Sequence, residues 1–231
     1  MILAAHQPQF APWLGFFDKL DRADVFVLLD NVQFKKNEWQ NRNRVKAADG
    51  PQWLTVPVSF HFGDKINEVS IAEDNNWRHR HQQTLRTCYS RAPYFQETFA
   101  LYDETVSREW NKLSEFNIAL LQALTSRLGI GTRITVASEM DPLPEGRDER
   151  LIRLCKRFGA DTYLAGAGGR LYMQLEKYKE TETNVVFQDY HHPDYEQLFA
   201  EFSPQLSVLD LLFNCGRKSL DVIRGGRYEG A

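Results

Sequence analysis

Residues 2–30, ILAAHQPQFAPWLGFFDKLDRADVFVLLD, contain the pattern that decides the fold. Ile2 to Ala5 is a short apolar run that stops at polar residues, which predicts a buried strand. Pro12 opens an amphipathic stretch with apolar residues on one helical face, which predicts a helix. Asp24 leads into a continuous apolar run that predicts a second buried strand. The order strand, helix, strand predicts a βαβ unit and therefore a parallel sheet.

The last third of the chain returns to this alternation. Residues 133–138, 161–166 and 184–190 have the composition of strands, and residues 147–159 and 171–180 have the apolar spacing of helices. We therefore expect an α/β fold with an open, mainly parallel sheet flanked by helices.

The middle of the chain predicts an inserted helical and hairpin segment. Residues 53–60 read as a strand in which Pro57 suggests an edge or a bulge, and residues 66–71 could pair with it as a hairpin. A helix is predicted for residues 77–89, followed by two longer helices within residues 94–128.

The domain organisation follows from chain length. One α/β domain is expected for residues 1–231, with residues 60–128 as a candidate subdomain. Gly129 is a predicted helix stop, and the tail 225–231, GGRYEGA, is expected to fray.

Composition excludes several classes of protein. A chain that is 42% apolar and 26% charged is neither disordered nor collagen-like. A net charge of −3 provides no global basic field, so nucleic acid is not an expected partner. The three cysteines are far apart and form no CxxC pair, which fits a reducing cytosol. We see no signal peptide or membrane span, and we expect a cytoplasmic protein.

Polar residues that follow the first two predicted strands are candidates for chemistry, because ligands of open parallel sheets bind beyond the strands' carboxyl ends. His6 could act as a general acid or base, or it could only cap its strand. Asp30 could hold a ribose, an amine or a metal-bound phosphate, or it could cap a loop.

Residues 35–46, KKNEWQNRNRVK, carry five basic residues against one acid. Arg42 and Arg44 could bind phosphate, and Trp39 could stack on a flat ring, so this segment suits a nucleotide diphosphate. A solvated surface loop would have the same composition.

Two further motifs are weaker. The glycine-rich turn Gly166–Gly169 lies between a predicted strand and a predicted helix and could cradle an anion, although it lacks the GxGxxG spacing. His191 and His192 are adjacent in an extended segment and point to opposite faces, which disfavours a shared metal ion. Cys215 is interpreted as an inert thiol.

Several blocks of the chain are similar to the WbqC-like protein family between residue 2 and about residue 216. They are the run HQPQFAPWLGFFDKLDRADVFVLLDNVQFKKNEWQNRNRVK, then WLTVPV, YLAGAGG and HHPDYEQLFAEFSPQLSVLDLLFNCG. Carried over residue by residue, the family pattern covers His6, Gln7, Pro8, Trp13, Gly15, Asp30, Gln33, Asn41, Arg42, Asn43, Gly166, Gly169, His192, Pro193, Tyr195, Asp210 and Asn214. Asn31 stands where a second acid is expected, which weakens a paired-carboxylate mechanism and a carboxylate metal site.

Members of this family resemble proteins encoded in O-antigen and other surface-polysaccharide clusters, so the resemblance implies a role in making or decorating an activated sugar. We expect a transferase for acyl or aminoacyl transfer to the amine of a nucleotide-linked amino sugar. The donor would be an acyl-CoA or an acyl or aminoacyl carrier protein, and no required cofactor or metal is expected. The alternatives are a nucleotidyl or adenylyl transferase, although residue 9 is Gln where an HxGH-type motif has His, and a noncatalytic sugar-nucleotide-binding or scaffold module.

The expected site residues follow from these interpretations. His6 and Asp30 are the expected catalytic residues. The expected substrate-binding residues are Gln7, Gln33, Trp39, Asn41, Arg42, Asn43, Gly166, Gly168, Gly169, His192, Tyr195 and Asn214.

Overall fold

The computed structural model describes residues 1–72, 76–199 and 201–228. In chain order the elements are β1 (Ile2–His6), α1 (Leu14–Asp21), β2 (Val25–Leu28), β3 (Arg42–Ala47), β4 (Gly50–Thr55), β5 (Val58–Ser59), β6 (Ser70–Ile71), α2 (Trp77–Tyr89), α3 (Phe95–Val106), α4 (Leu113–Leu128), β7 (Arg133–Val136), α5 (Arg147–Phe158), β8 (Thr162–Ala165), α6 (Leu175–Lys179), β9 (Asn184–Phe187), α7 (Val208–Cys215) and α8 (Ser219–Gly225). Short 3-10 helices occupy Ala137–Glu139, Ala167–Leu171 and Gly216–Lys218.

A five-stranded sheet in the order β7-β2-β1-β8-β9 forms the centre of the fold. Every neighbouring pair in this sheet is parallel, and Ala4 of β1 lies between Phe26 of β2 and Leu164 of β8. The predicted βαβ unit and the α/β class are therefore confirmed.

Both faces of the sheet are covered. Ala4, Phe26 and Leu164 belong to the apolar core that includes α1 and the inserted helices. The alternating residues Leu3 and Ala5 belong to a second core, against α5 and α6. Burial on both faces explains why β1 and β2 are continuous apolar runs in the sequence.

The inserted segment contains two short antiparallel hairpins and three helices. β3 pairs with β4, and β5 pairs with β6. The prediction of one continuous strand over residues 53–60 was wrong, because β4 ends at Thr55 and β5 begins at Val58. Val56 still donates to the Asn41 carbonyl at 2.8 Å, but Pro57 cannot donate a ladder hydrogen bond. Only the last two residues of 66–71 form a strand, but the predicted antiparallel partner is correct.

The predicted helices of the insertion are confirmed. α2 coincides with residues 77–89, and α3 and α4 lie within residues 94–128. Gly129 ends α4 with a φ of 77°, in the left-handed region that glycine adopts without strain. The helix predicted for residues 171–180 is shorter, because a 3-10 helix occupies its start and α6 covers only Leu175–Lys179.

The chain after β9 differs most from expectation. α7 and α8 were not predicted, and the expectation of a frayed tail is wrong for residues 225–228. Arg227 pairs with Asp18, at 2.5 Å, and with Asp21. Asp18 is fully buried, so this pairing compensates a charge that water cannot reach. The rest of the expected tail, residues 229–231, lies outside the described residues.

No helix in the described ranges combines the length and the apolar character needed to cross a bilayer.

Candidate active site

A cavity of about 890 Å³ opens at the carboxyl ends of β1 and β8. From β1 the chain proceeds to β2 and β7 on one side, and β8 and β9 then lie on the other side. The boundary between β1 and β8 is therefore the topological switch point of the sheet, where doubly wound folds bind ligands.

His6 ends β1 and lines the cavity. Its Nδ1 lies 3.0 Å from the carbonyl oxygen of Gln7, which can only accept, so Nδ1 carries the proton and Nε2 of the neutral ring has a free lone pair. The ring packs edge-on against Phe16, with centroids 5.0 Å apart. Burial, and then the nearby charge of Lys19, lower the pKa of His6 to about 4, so the imidazole is neutral at physiological pH.

Lys19 also lines the cavity, although its side chain extends from the buried side of α1. The residue is only 4% exposed, and its Nζ donates a hydrogen bond of 2.9 Å to the carbonyl of Ala5. Burial lowers the pKa of Lys19 from 10.5 to about 8. Among residues 1–72, 76–199 and 201–228, no carboxylate forms an ion pair with Lys19. A buried ammonium without a counterion favours an anionic ligand beside it.

All but one of the remaining charged residues of the wall are basic. Lys35, Arg147 and Arg150 line the cavity, with Glu145 as the one acid in the lining of the described residues. Arg147 lies over the ring of Tyr172, with 4.2 Å to the ring centroid. Arg150 Nε donates to the carbonyl of Pro144 at 3.1 Å, which fixes the loop before α5. The cavity therefore attracts anions.

The loop after β2 forms another part of the wall. Gln7, which follows β1, and Gln33, in the loop after β2, both line the cavity, and both are among the expected substrate-binding residues. Gln40 Nε2 donates to Gln7 Oε1 at 2.8 Å, and Gln40 Oε1 accepts from the backbone of Lys35 at 2.8 Å. Because Gln7 Oε1 accepts this bond, its Nε2 is the group that remains to donate to a ligand.

The glycine-rich turn closes the cavity on the β8 side. Gly166, Gly168 and Gly169 all line it. A Cβ added to Gly166 or Gly168 would meet nothing within 4 Å, whereas one on Gly169 would meet Met173 Sδ at 2.8 Å. A side chain at position 169 would therefore have to displace Met173, whereas positions 166 and 168 leave room for a ligand.

Asp30 has structural partners. It is buried, its Oδ1 accepts from the backbone of Ser138 at 2.9 Å, and its Oδ2 accepts from the Ser138 hydroxyl. These bonds join the ends of β2 and β7, and Asp30 is absent from the cavity lining.

Asn41 and Asn43 lie inside the protein. Asn41 Nδ2 donates to Val56 at 3.0 Å, and Asn43 Nδ2 donates to Ala11 at 2.7 Å. Both side chains hold the β3–β4 hairpin, and neither lines the cavity. Trp39 and Arg42 lie with Trp53 on the outer face of this hairpin.

The remaining predicted residues gather around Asp210, apart from the cavity. The hydroxyls of Tyr89 and Tyr195 donate to Asp210 at 2.7 and 2.8 Å, and burial raises the pKa of this carboxyl. Asn214 Nδ2 donates to the Asp210 carbonyl at 2.8 Å. His192 packs beside Tyr195, and burial lowers its pKa. Within the described ranges, no group of three or more His, Cys, Asp or Glu side chains is placed to hold a metal ion.

Sequence reasoning missed Lys19, Lys35, Arg147 and Arg150. The available signal for Lys19 was a lysine inside the apolar stretch 14–20, one residue before Leu20. Arg147 and Arg150 lie in the first turn of α5, which begins beside the carboxyl ends of the strands. That position could not be predicted without the strand order.

The fold and the site define a class: an α/β protein with a doubly wound sheet and a cationic cavity at its switch point. The sequence model of the WbqC-like protein family matches residues 7–222. The chain is also similar to the uncharacterized protein Rv1507c of Mycobacterium tuberculosis (strain ATCC 25618 / H37Rv), with 37% identity over 226 residues, which cover 96% of this chain and 97% of that protein. The chain belongs to the WbqC-like protein family.

Proposed function

We propose that this protein is a transferase that binds a nucleotide-linked amino sugar in the cavity and transfers an acyl or aminoacyl group to the sugar amine. The observation that supports it most is the pairing of an uncompensated buried ammonium, Lys19, with a neutral imidazole, His6, in one cavity. The first group suits a phosphate or a developing oxyanion, and the second suits a proton acceptor. A role in surface-polysaccharide synthesis fits such a substrate.

The reaction needs two proton transfers, one from the sugar amine to His6 and one from His6 to the leaving thiolate. The sugar amine attacks the thioester carbonyl, a C–N bond forms, and His6 Nε2 accepts the proton that the nitrogen loses. The tetrahedral oxyanion lies near the Lys19 ammonium and the Gln7 amide. The C–S bond then breaks, and His6 returns the proton to the leaving thiolate, so the products are an amide and a thiol.

The strand order favours a second candidate, a nucleotidyl transferase. His6 lies at the end of the central strand, beside the switch point, where a triphosphate could meet Lys19 and the glycine-rich turn. Nucleoside triphosphate cleavage with pyrophosphate release distinguishes this reaction from acyl transfer. A noncatalytic module would bind the sugar nucleotide and form neither product.

The test is product formation. The protein is incubated with UDP- and dTDP-linked amino sugars and a panel of acyl-CoA and acylated carrier donors, and amide products are identified by mass spectrometry. We expect a product with the wild type and with His79→Asn, which alters an exposed histidine on α2, and loss of product with His6→Asn. No product from the wild type across the panel would contradict acyl transfer.

A further inference from the structure

The outer face of the β3–β4 hairpin carries two arginines and two tryptophans; we call it the hairpin face (Trp39, Arg42, Arg44 and Trp53). Arg44 of β3 lies opposite Trp53 of β4, and Arg42 lies two residues away on the same face. The guanidinium carbons of Arg42 and Arg44 lie 4.3 and 5.7 Å from the Trp53 ring centroid. The Trp39 ring lies 5.8 Å from that of Trp53, and the two residues are 39% and 43% exposed.

The charges of the hairpin face are uncompensated. In the part of the chain that the structure describes, no carboxylate pairs with Arg42 or Arg44, and the Nε atoms of both are buried without a hydrogen-bond partner. Glu38, the acid nearest in sequence to Arg42, pairs instead with Lys35 at 3.7 Å. Lys46, on the same strand, is buried and donates to the backbone carbonyls of Phe199 and Glu201. β3 therefore satisfies the Lys46 cation inside the protein and leaves the Arg42 and Arg44 cations at the surface.

This combination has a specific chemical preference. Guanidinium groups bind phosphate through paired hydrogen bonds, and exposed indoles stack on planar rings. Because both guanidinium groups lie over one indole, they can contact one ligand that carries neighbouring phosphates and a flat base. We infer that the hairpin face is a second ligand site, which binds a phosphorylated nucleoside.

The proposed function indicates which nucleoside this is, and this identification rests on that function. The cavity takes the sugar nucleotide, so the hairpin face remains for the phosphoadenosine end of an acyl-coenzyme A donor. The two places are connected: Gln40 follows Trp39 directly in the chain and donates to Gln7 in the cavity wall. The long pantetheine arm would carry the thioester from one place to the other.

The binding test uses coenzyme A itself, with quenching of tryptophan fluorescence and isothermal titration calorimetry as readouts. The wild type is compared with the double variant Arg42→Ala/Arg44→Ala and with Arg133→Ala. Arg133 is the matched control, because it is an exposed arginine that lies 5.6 Å from the centroid of Phe158, at the amino end of β7. Trp39→Leu provides a second hairpin-face variant, and thermal melting checks that each variant is folded.

We expect the double variant to bind coenzyme A about tenfold or more weakly, and Trp39→Leu to weaken binding, while Arg133→Ala binds as the wild type does. Dephospho-coenzyme A should bind more weakly than coenzyme A, and pantetheine should not bind. No binding to the wild type, or equal binding to the wild type and the double variant, would overturn the inference.

The two proposals can fail separately. Coenzyme A binding at the hairpin face, without acylation of any amino sugar, would contradict the proposed function but would still support the hairpin face as a second ligand site. Acylation that is insensitive to the double variant would retain the function and remove the hairpin face from it.

Discussion

Lys19 on α1 donates its 2.9 Å hydrogen bond to the carbonyl of Ala5, the residue immediately before His6. This bond lies just past Ala4 and Leu164, the last residues that pair β1 with β8. A helix on one face of the sheet thus places an ammonium at the carboxyl end of the central strand, beside a neutral imidazole. The Lys19 ammonium and the His6 imidazole, the two groups of the proposed mechanism, are both positioned by this contact between α1 and β1.

Replacing Lys19 separates its cost to folding from its role in binding. At pH 7 we expect Lys19→Met to raise the free energy of unfolding by about 1–2 kcal/mol. A fall in pKa from 10.5 to about 8 costs roughly 3 kcal/mol, and the lost hydrogen bond to Ala5 offsets about 1 kcal/mol of the gain.

The pH dependence of that difference identifies its cause. Between about pH 8 and 10.5 the unfolded state holds the Lys19 proton that the folded state has released, so wild-type stability rises with pH. The advantage of Lys19→Met should therefore shrink over this range in urea unfolding curves. A difference that stays constant with pH would contradict a buried charge as its source.

The pH profile of kcat/KM, which reports the groups of the free protein, tests the roles of His6 and Lys19 together. His6 must be neutral to accept a proton, and its pKa is about 4, so the limb that His6 contributes should lie near pH 4 instead of near 6.5. That limb is separate from the limb set by the substrate amine, which must also be neutral to attack. The alkaline limb should lie near pH 8, where Lys19 loses its charge. His6→Asn should lower kcat by about 10²–10⁴-fold with little change in ligand affinity. An acid limb near 6.5 that does not follow the pKa of the substrate amine would show that another histidine accepts the proton.

A buried histidine outside the cavity makes the fold sensitive to acid. His81 is 4% exposed, its Nδ1 lies 2.7 Å from the Tyr102 hydroxyl, and its Nε2 lies 3.0 Å from the Thr55 carbonyl. Burial lowers its pKa to about 4, so the unfolded state takes up a proton first as pH falls below 6.5. This group alone should remove up to about 3 kcal/mol of stability between pH 6.5 and 4.

His81→Asn is the variant that measures this effect. It should be less stable than the wild type at pH 7, because it loses part of the hydrogen bonding, and it should depend less steeply on pH below 6.5. Chemical denaturation at several pH values provides both numbers. Parallel pH curves for the two proteins would assign the acid sensitivity to other groups.

Two arginines near the C-terminus form a matched pair for testing the tail. Arg227 contacts the fully buried Asp18, whereas the exposed Arg224 contacts Asp21, at 2.9 Å. Arg227→Ala should cost about 3–5 kcal/mol because it leaves a buried carboxylate without its main partner. Arg224→Ala should cost about 1 kcal/mol or less. Equal, small losses in thermal unfolding would mean that the tail frays after all.

The sequence predicted the elements whose burial is regular. β1 and β2 are continuous apolar runs, and α4 has uniform helical spacing, so local pattern and tertiary position agree. α7 was missed although Ser207, whose side chain accepts from Leu209 at 3.2 Å, precedes Asp210 at a capping-box spacing. β3 was missed because its Arg and Asn residues have the composition of a surface loop. The strand nevertheless buries some of these polar side chains.

The candidate site was predictable only in part, for a physical reason. His6 and Gly166 follow strands that are recognisable locally, so the carboxyl-end rule located them. Lys19 and Arg150 reach the cavity from helices, and their positions depend on the strand order. Asn41 and Asn43 instead donate hydrogen bonds to the distant carbonyls of Val56 and Ala11, so they hold the hairpin without lining the cavity.

The most direct test of the account is the thermal unfolding midpoint with UDP- and dTDP-linked amino sugars, compared with the bare nucleotides. A ligand present at about 100 times its Kd adds roughly 2.7 kcal/mol, which raises the midpoint by several degrees in a chain of this size. We predict that an amino-sugar nucleotide raises the midpoint more than its nucleotide alone, and that Lys19→Met abolishes the shift. The absence of a shift with every ligand, or an equal shift in Lys19→Met, would contradict binding of the nucleotide-linked sugar at this cavity.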